Sequence, residues 1–360
     1  MLQYRIYVKD GLDLGGMAIA NVQCTAFSIE RDLLTTATSR FEVLEMPGNI
    51  KNGDVLGLID PYGTIVYNGV IEAIEEDITC RQMLSMFNDK WIWHDPTSET
   101  TIEGKIASII DTDFINSSDP LLASKFPFTV TTTSQTEGTF EQHTKTKTEE
   151  GQQIEYVDKT HVENLEKFFY SLYDTWGVKI DIEVPFNAVT PTITIGQATK
   201  PSLKVGNNAL IIRNLTPFTE IFQKNKLVIY DKEGENIRAE FFATTSGITT
   251  DASDPLRLPV INTEYVFDTD KDVDEIKSEK LQEEMYNHKI NFDLLIDNKL
   301  YDFFDFELGM PFEVWYYSDY YSTLFTGYEL QLTNGGDLSV VHITCGKVRN
   351  KLTEIINDSE

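Results

Sequence analysis

One β-hairpin pattern occurs twice in this sequence of 360 residues. In the first copy, Gly53 opens an apolar strand, and Gly69 lies inside the strand that returns after a turn. In the second copy, Gly309 and Gly327 hold the corresponding places. Glycine inside a strand usually marks a bulge or a tight bend of a small barrel, where a side chain would collide with a neighbouring backbone. The pattern predicts one β-module folded twice, with two unrelated hairpins as the alternative.

A duplicated module favours a structural role over a catalytic one. Three copies of such a chain present six similar faces, so that a trimer imitates a hexamer. The 58 acidic residues outnumber the 30 basic ones, which gives a formal net charge of −28. This charge repels phosphate backbones and counts against nucleic-acid binding, although a channel walled by carboxylates would let DNA pass without holding it. Solubility alone is the other explanation of the charge.

The length exceeds one ordinary domain and predicts two or three. Cys24, Cys80 and Cys345 show no CxxC spacing, so we interpret them as reduced, buried residues of a protein made in a cytosol. Residues 1–8 alternate like a strand and contain no long apolar core. We therefore expect neither a signal peptide nor a membrane span.

Alternating apolar residues predict strands over much of the chain. The run from Tyr4 to Trp93 favours a compact β-barrel or sandwich. Turn residues at 231–234 between two apolar runs predict a hairpin. The Thr- and Glu-rich stretch 126–153 is interpreted as an exposed hairpin or mobile loop, and a functional contact arm is the alternative.

Helical patterns occur in four places. Thr100 and Glu103 have the spacing of a capping box before an isoleucine-rich helix. Thr160 and Glu163 repeat that spacing, and Gly177 supplies the left-handed stop of the second helix, whose aromatic stripe we interpret as core. A third helix is predicted over about 272–286, with acids at its N-terminal end, and a short charged helix over 347–356.

The motifs of common enzymes and metal sites are absent from the sequence. Asp268, Asp270 and Asp272 have the spacing of a calcium loop, but Val273 stands where the loop needs glycine, so we interpret these acids as helix N-terminal residues. The five histidines are scattered, which gives a zinc site no local basis. We therefore predict no catalytic, cofactor-binding or metal-binding residues, while a dispersed hydrolase site stays open.

An aromatic cluster lies between residues 301 and 325. Because successive side chains of a strand point to opposite faces, some of these rings should reach a surface. Core packing, a protein interface and a sugar-stacking platform are the three open interpretations. The candidate interface residues are Trp315, Tyr316, Tyr317, Tyr320 and Tyr321.

The order of several unspecific motifs carries a resemblance. The chain resembles phage and prophage tail proteins of the baseplate-hub type, which include the structural heads of tail-associated lysins in long-tailed phages. The motifs that match are the pattern of 53–72, the helix of 160–177 with strand 178–182, strand 225–230, residues 287–289, residues 308–311, the Gly327 hairpin and residues 346–353.

The resemblance implies an α+β, mainly β fold with two similar small β-barrels per subunit and an α+β part, assembled as a trimeric ring. Chain order then suggests these divisions: a first barrel at 1–97, an α+β part at 98–205 and 246–288, a second barrel from 206–245 and 289–352, and a tail at 353–360.

The resemblance also implies a role and partners. The homotrimer would join the six-fold tail tube and distal tail protein to three-fold tip or fibre proteins, and the tape-measure protein and DNA would pass through its bore. The expected location is the virion tail tip, after synthesis in the bacterial host cytoplasm, with contact to the bacterial cell wall as an option. Wall-degrading activity of relatives is not carried over, so we expect no enzyme. A cell-wall hydrolase and a carbohydrate-binding receptor module remain the alternatives.

Overall fold

The computed structural model describes residues 3–88, 90, 99–138, 144–149, 152–157, 164–206, 212–219, 224–231, 234, 236–244, 247–257, 262–267, 273–281, 287–296, 300–301, 303–317, 319–332 and 340–348. The chain divides into two compact units. The first contains 1–200, 294–309 and 327–342, and the second contains 201–293, 310–326 and 343–360. Strands predominate over helices, which confirms the predicted α+β, mainly β class.

Six antiparallel strands form a closed barrel in the first unit. They are β1 (Arg5–Lys9), β2 (Ala20–Asp32), β3 (Thr38–Val43), β4 (Val55–Ile59), β5 (Ile65–Ile74) and β6 (Ile78–Gln82). Their neighbour order is β1-β4-β5-β6-β3-β2, and β1 also pairs with β2, which closes the sheet. The barrel predicted from alternation is therefore present.

Strand β1 is buried on both faces, because residues 184–187 of the same unit cover it. The Tyr7 hydroxyl donates to the Val184 carbonyl oxygen at 2.5 Å. Lys9 is fully buried, and its ammonium donates to the carbonyl oxygens of Gly16 and, at 2.8 Å, of Asn187. Burial lowers the pKa of Lys9, and the negative charge of Asp13 offsets this lowering only in part. Backbone carbonyls thus hold a cation inside the unit.

An α+β part follows the barrel and is preceded by a 3-10 helix, Met83–Phe87. Strands Lys179–Glu183, Thr192–Gly196 and Thr129–Thr132 form a sheet in that order, and Thr144–Glu149 forms a hairpin with Gln152–Val157. Stretch 126–153 therefore contributes a strand to the sheet as well as part of that hairpin. The elements are α1 (Ile102–Ile110) with a π-helical turn (Asp111–Ile115), α2 (Pro120–Ala123), β7 (Thr129–Thr132), β8 (Thr144–Glu149), β9 (Gln152–Val157), α3 (Leu165–Trp176), β10 (Lys179–Glu183) and β11 (Thr192–Gly196).

The cap of α1 differs from the predicted capping box. Thr101, not Thr100, accepts the hydrogen bond from the Gly104 amide at 3.1 Å. Glu103 is fully buried and does not reach back to the cap, because its carboxylate accepts from Ser134 and Thr136 instead. Hydrogen bonds to Ser134 and Thr136, which are distant in the chain, thus replace the predicted capping box.

The second helix ends where the sequence predicts, and its start is capped by a different residue. Asn164 is the N-cap of α3 and accepts from the Lys167 amide, while the predicted Thr160–Glu163 box lies outside the described residues. Gly177 adopts the left-handed conformation, with φ of 67°, and its amide donates to the Tyr173 carbonyl oxygen.

A second strand set repeats the neighbour order of the barrel. Its strands are β12 (Leu203–Gly206), β13 (Ile212–Thr219), β18 (Asn287–Leu295), β19 (Pro311–Tyr316), β20 (Asp319–Leu332) and β21 (Val340–Val348). Their neighbour order is β12-β19-β20-β21-β18-β13. When the six strands of each set are numbered in sequence order, both sets have the neighbour order 1-4-5-6-3-2. One direction differs, because β12 runs parallel to β19 whereas β1 is antiparallel to β4.

A separate sheet occupies the rest of the second unit. Its strands, in neighbour order, are Gly247–Thr249, Ile237–Thr244, Lys224–Tyr230 and Asn262–Val266. Leu227 and Ile229 of this sheet pack against Ile276 of the helix Val273–Lys280. The predicted second barrel comprised 206–245 and 289–352. Within it, residues 224–230 and 237–244 form two strands of this separate sheet instead, because Leu227 and Ile229 pack on a helix that follows later in the chain. The elements are β14 (Lys224–Tyr230), β15 (Ile237–Thr244), β16 (Gly247–Thr249), β17 (Asn262–Val266) and α4 (Val273–Lys280).

The hairpin predicted at 231–234 is confirmed, since β14 and β15 pair across it. Helix α4 lies within the predicted 272–286, of which 272 and 282–286 fall outside the described residues. The terminal helix predicted at 347–356 begins inside β21, and the remainder of it falls outside the described residues.

Phe87 offers a test of the first unit's core. Its ring meets Phe114, Phe126 and Phe169 at centroid distances of 5.1 to 5.6 Å. We expect Phe87→Ala to lower the free energy of unfolding by about 3–5 kcal/mol, because it leaves a cavity between three rings. Urea unfolding followed by tryptophan fluorescence measures the loss. Phe304→Ala, which truncates a half-exposed ring, is the control and should cost much less; equal losses would contradict the packing.

Candidate functional site

The opening glycine of the first hairpin sets the entry of β4. Gly53 has φ of +89°, a conformation that L side chains rarely adopt. The next residue, Asp54, has a carbonyl oxygen that accepts from the Ile71 amide at 2.8 Å. Its carboxylate is fully buried and accepts from the amides of Gly11 and Lys51 at 3.0 and 2.9 Å. One aspartate thus fixes both the hairpin and two flanking loops.

The second hairpin opens with the same geometry. Gly309 has φ of +88°, within a degree of Gly53. The carbonyl oxygen of the next residue, Met310, accepts from the Phe325 amide of the returning strand at 3.0 Å. The backbone conformation and the hydrogen bond are therefore both repeated, although aspartate is replaced by methionine. This repeat supports the interpretation of one module folded twice.

The returning glycine of the first hairpin is required by close strand packing. Gly69 of β5 pairs with Leu56 of β4. A Cβ atom at position 69 would lie 2.7 Å from the Arg81 carbonyl oxygen of β6, closer than real Cβ contacts allow. Glycine is therefore the residue that lets β5 and β6 approach each other here.

The returning glycine of the second hairpin lies at a different point of the repeat. Leu56 follows Gly53, and Phe312 follows Gly309, at the same interval in the sequence. Leu56 pairs with Gly69, whereas Phe312 of β19 pairs with Thr323 and not with Gly327. Gly327 lies further along β20 and pairs with Asp32 of β2, where a Cβ atom would lie 2.9 Å from the Arg31 carbonyl oxygen. Both glycines permit close approach, but the shorter second turn shifts the register.

Glu307 anchors the loop that leads into the second hairpin. Its carboxylate accepts from the Lys179 ammonium at 3.0 Å and from the amides of Thr199 and Lys200 at 3.0 and 3.1 Å. Burial alone would raise the pKa of Glu307, but the hydrogen bonds and the charge of Lys179 outweigh it and hold the pKa below its ordinary value. The side chain ties three chain segments together just before Gly309.

The aromatic cluster divides into buried rings and an exposed tip. Phe303, Phe312 and Phe325 are buried. The end of the β19–β20 hairpin carries three exposed rings, Trp315, Tyr317 and Tyr320, and the half-buried Tyr316; we call these four residues the aromatic tip. Tyr321 is half-buried beside His288.

The aromatic tip is ordered by its own contacts. Trp315 and Tyr320 pair across the hairpin with ring centroids 4.8 Å apart. Tyr316 and Tyr317 meet edge to face at 4.7 Å. Tyr317 is 80% exposed and has φ of 53°, which is rare for a residue with a side chain. A positive φ at this position allows the chain to reverse direction between β19 and β20.

A surface pocket of about 430 Å³ lies beside the first hairpin. We call it the hairpin pocket. Ring contact with Tyr7 at 5.4 Å fixes Phe186 in its wall. Arg5 is exposed and makes no ion pair within the described part of the chain. The lining residues used below are Ile59, Ile65, Pro185, Phe186, Arg5 and Asn187.

The described residues contain no candidate metal centre. They contain no group of three His, Cys, Asp or Glu side chains that could hold a metal ion, and the aspartates at 268–272 lie outside the described residues. Burial raises the pKa of Cys24 to about 12, so its thiol stays protonated at neutral pH. No helix within the described ranges is both long and apolar enough to cross a bilayer.

Comparison with solved structures gives a consistent result. The 43 kDa tail protein of prophage MuSo2 from Shewanella oneidensis matches with a TM-score of 0.56 and 12% identity, over 96% of this chain and 98% of that one. The prophage tail protein gp18 from Listeria monocytogenes matches with a TM-score of 0.55 and 13% identity, over 98% and 97%. This chain has the fold of phage and prophage tail proteins.

A baseplate component shares this tail-protein fold. A chain of the phage P2 baseplate, in its activated conformation with calcium, matches with a TM-score of 0.50 and 11% identity, over 96% of this chain and 99% of that one. No protein-family model matches the sequence, and no curated protein is similar to it. The tail-protein fold is therefore visible in the structure and not in sequence similarity.

Sequence reasoning found the two opening glycines and the aromatic tip and missed the hairpin pocket. Its lining joins β1, β4 and the segment 185–187, which are distant in the chain. No local sequence pattern predicts that segments so far apart in the chain line one pocket. The role of Asp54 as a loop anchor was also missed, although an aspartate beside a turn often accepts hydrogen bonds from nearby backbone amides.

Substitution of the opening glycines tests the repeat. Gly53→Ala should cost about 1–2 kcal/mol of stability, because alanine resists the positive φ while the space around position 53 is open. Gly309→Ala should cost more, since its Cβ would also press within 3.2 Å of the Tyr173 ring. Urea unfolding measures both. Gly48→Ala, at a position with open space and no positive φ, is the control; a harmless Gly309→Ala would contradict the repeat.

Glu307 should make stability depend on acid pH. A carboxyl whose folded pKa is lowered contributes stability above its unfolded pKa, near 4.5, and loses it as pH falls through the folded value. Glu307→Gln should therefore be less stable than the natural chain at pH 7, by about 1–3 kcal/mol, and the difference should shrink below about pH 4.5. Thermal unfolding between pH 3 and 7 measures it. The exposed Glu45→Gln should show no such closing difference.

Proposed function

We propose that this chain is a structural hub protein of a phage or prophage tail tip or baseplate. The observation that carries the proposal is the repeated module: two opening glycines with the same φ, the same backbone hydrogen bond after each, and two strand sets with the same neighbour order. The tail-protein fold supports it over nearly the whole chain. Three copies of a chain that carries one module twice have six similar modules, which suits a junction between a six-fold and a three-fold assembly.

In this role the chain assembles as a trimeric ring with pseudo-sixfold symmetry. The six module copies face the six-fold tail tube and distal tail protein, and the three-fold arrangement faces tip or fibre proteins. The tape-measure protein and the DNA pass through the bore. A net charge of −28 fits such a conduit, because like charge keeps DNA from adhering. The site of action is the tail tip of the virion, after synthesis in the bacterial host cytoplasm.

The proposed role is structural and not enzymatic. The hairpin pocket contains one carboxylate, Asp60, and the amides of Tyr62 and Thr64 donate to it at 2.8 Å. Glycoside hydrolysis ordinarily uses two carboxyl groups in one cleft. A carbohydrate-binding module is the second candidate, since Trp315, Tyr317 and Tyr320 are exposed aromatic rings.

Oligomer mass and wall assays together test the proposal. Multi-angle light scattering over a concentration series should show a species of about 123 kDa, three times the 41.0 kDa chain, and electron microscopy should show rings. Purified peptidoglycan should release no soluble fragments on incubation. A monomer at every concentration would contradict the hub. Binding to cell walls that Trp315→Ala abolishes, without a change of mass, would favour the carbohydrate module.

A further inference from the structure

We propose that the aromatic tip of one subunit inserts into the hairpin pocket of a neighbouring copy of this chain. The inference rests on the proposed trimer and names the contact that builds it. The inserted residue is Tyr317, at the apex of the tip, and Trp315 and Tyr320 pack around the pocket mouth.

The aromatic tip has the properties of an inserting element. Tyr317 is 80% exposed, while Trp315 and Tyr320 are 47% and 49% exposed. Tyrosine and tryptophan dominate binding energy at interfaces, because they bury a large area and have few rotors to immobilise. The cross-strand and edge-to-face ring contacts hold the tip in shape before it binds. Binding therefore costs little conformational entropy.

The hairpin pocket has the complementary shape and chemistry. Its volume of about 430 Å³ lies within the range of small-ligand pockets and accepts a tyrosine side chain. Ile59, Pro185 and Phe186 supply apolar walls for the ring. Arg5 and Asn187 supply donors for the phenol oxygen, and the Arg5 guanidinium suits an aromatic face.

The pairing of unlike surfaces explains a ring. Each copy presents one aromatic tip and one hairpin pocket, so a contact between copies leaves a free tip at one end and a free pocket at the other. Such head-to-tail contacts form rings when the rotation closes, whereas two identical patches in contact would form a closed dimer. The tip and the pocket of this chain thus supply the type of interface that a cyclic trimer needs.

Site-directed cross-linking tests the contact. The chain with Tyr317→Cys and Asn187→Cys should form covalent trimers when treated with a bis-maleimide and run on a denaturing gel. The natural Cys24, Cys80 and Cys345 are buried and do not compete. A chain with Tyr265→Cys and Asn187→Cys, whose first cysteine replaces an exposed tyrosine of another sheet, is the control and should stay monomeric on the gel.

Trimer affinity provides a second measurement. Tyr317→Ala and the pocket-filling Asn187→Trp should each raise the subunit concentration of half-assembly about 30-fold, as expected for loss of an interface hot spot. Tyr265→Ala and Val189→Trp make the same changes at exposed positions outside the tip and the pocket and should leave assembly unchanged. Unchanged far-ultraviolet circular dichroism shows that each variant is folded.

The outcomes separate this contact from the hub function. If the natural chain is a trimer, and Tyr317→Ala and Asn187→Trp assemble at the same concentration without cross-linking at 187 and 317, the tip-in-pocket contact is wrong and the hub stands. If the natural chain is a monomer at every concentration, both are wrong. Covalent trimers together with weakened variants would establish the contact.

Discussion

The pairing of β1 on both sides is the constraint on which the first unit depends. β1 pairs with β4 along one edge and with β2 along the other, and without it the six-stranded sheet would have two open edges. Because Tyr7 and Lys9 of β1 also donate to carbonyl oxygens at 184 and 187, the same short strand joins the barrel to the α+β part. The strand that closes the barrel therefore also holds the α+β part against it.

The two copies of the hairpin module share their opening geometry and differ in their turns. Gly53 and Gly309 fix the chain direction, and one backbone hydrogen bond after each sets the register of the returning strand. Beyond this opening geometry the two hairpins differ, because residues 60–64 separate β4 from β5, whereas Tyr316 of β19 pairs directly with Asp319 of β20. Both turns expose a tyrosine, Tyr62 and Tyr317.

Buried polar groups hold the connections between segments. Lys9 is held by backbone carbonyls, Asp54 by two backbone amides, and Glu307 by a lysine and two amides. A buried polar group that loses its partner is costly, so each of these side chains permits one arrangement of the loops around it. Such anchoring would give fixed positions to the surfaces that each subunit of the proposed ring presents to its neighbours.

The sequence by itself determined the β-rich class, the opening glycines, the Gly177 helix stop and the hairpin at 231–234, because each depends on backbone conformation or on alternation within a few residues. It also indicated that rings between 301 and 325 would reach a surface. Only the tertiary structure decided that strands β14 and β15 belong to a separate sheet, that Glu103 accepts hydrogen bonds from distant residues instead of its cap, and that Arg5 and Phe186 line one pocket. Each of these outcomes depends on contacts between residues that are distant in the sequence. Local patterns do not predict which distant segments will be in contact.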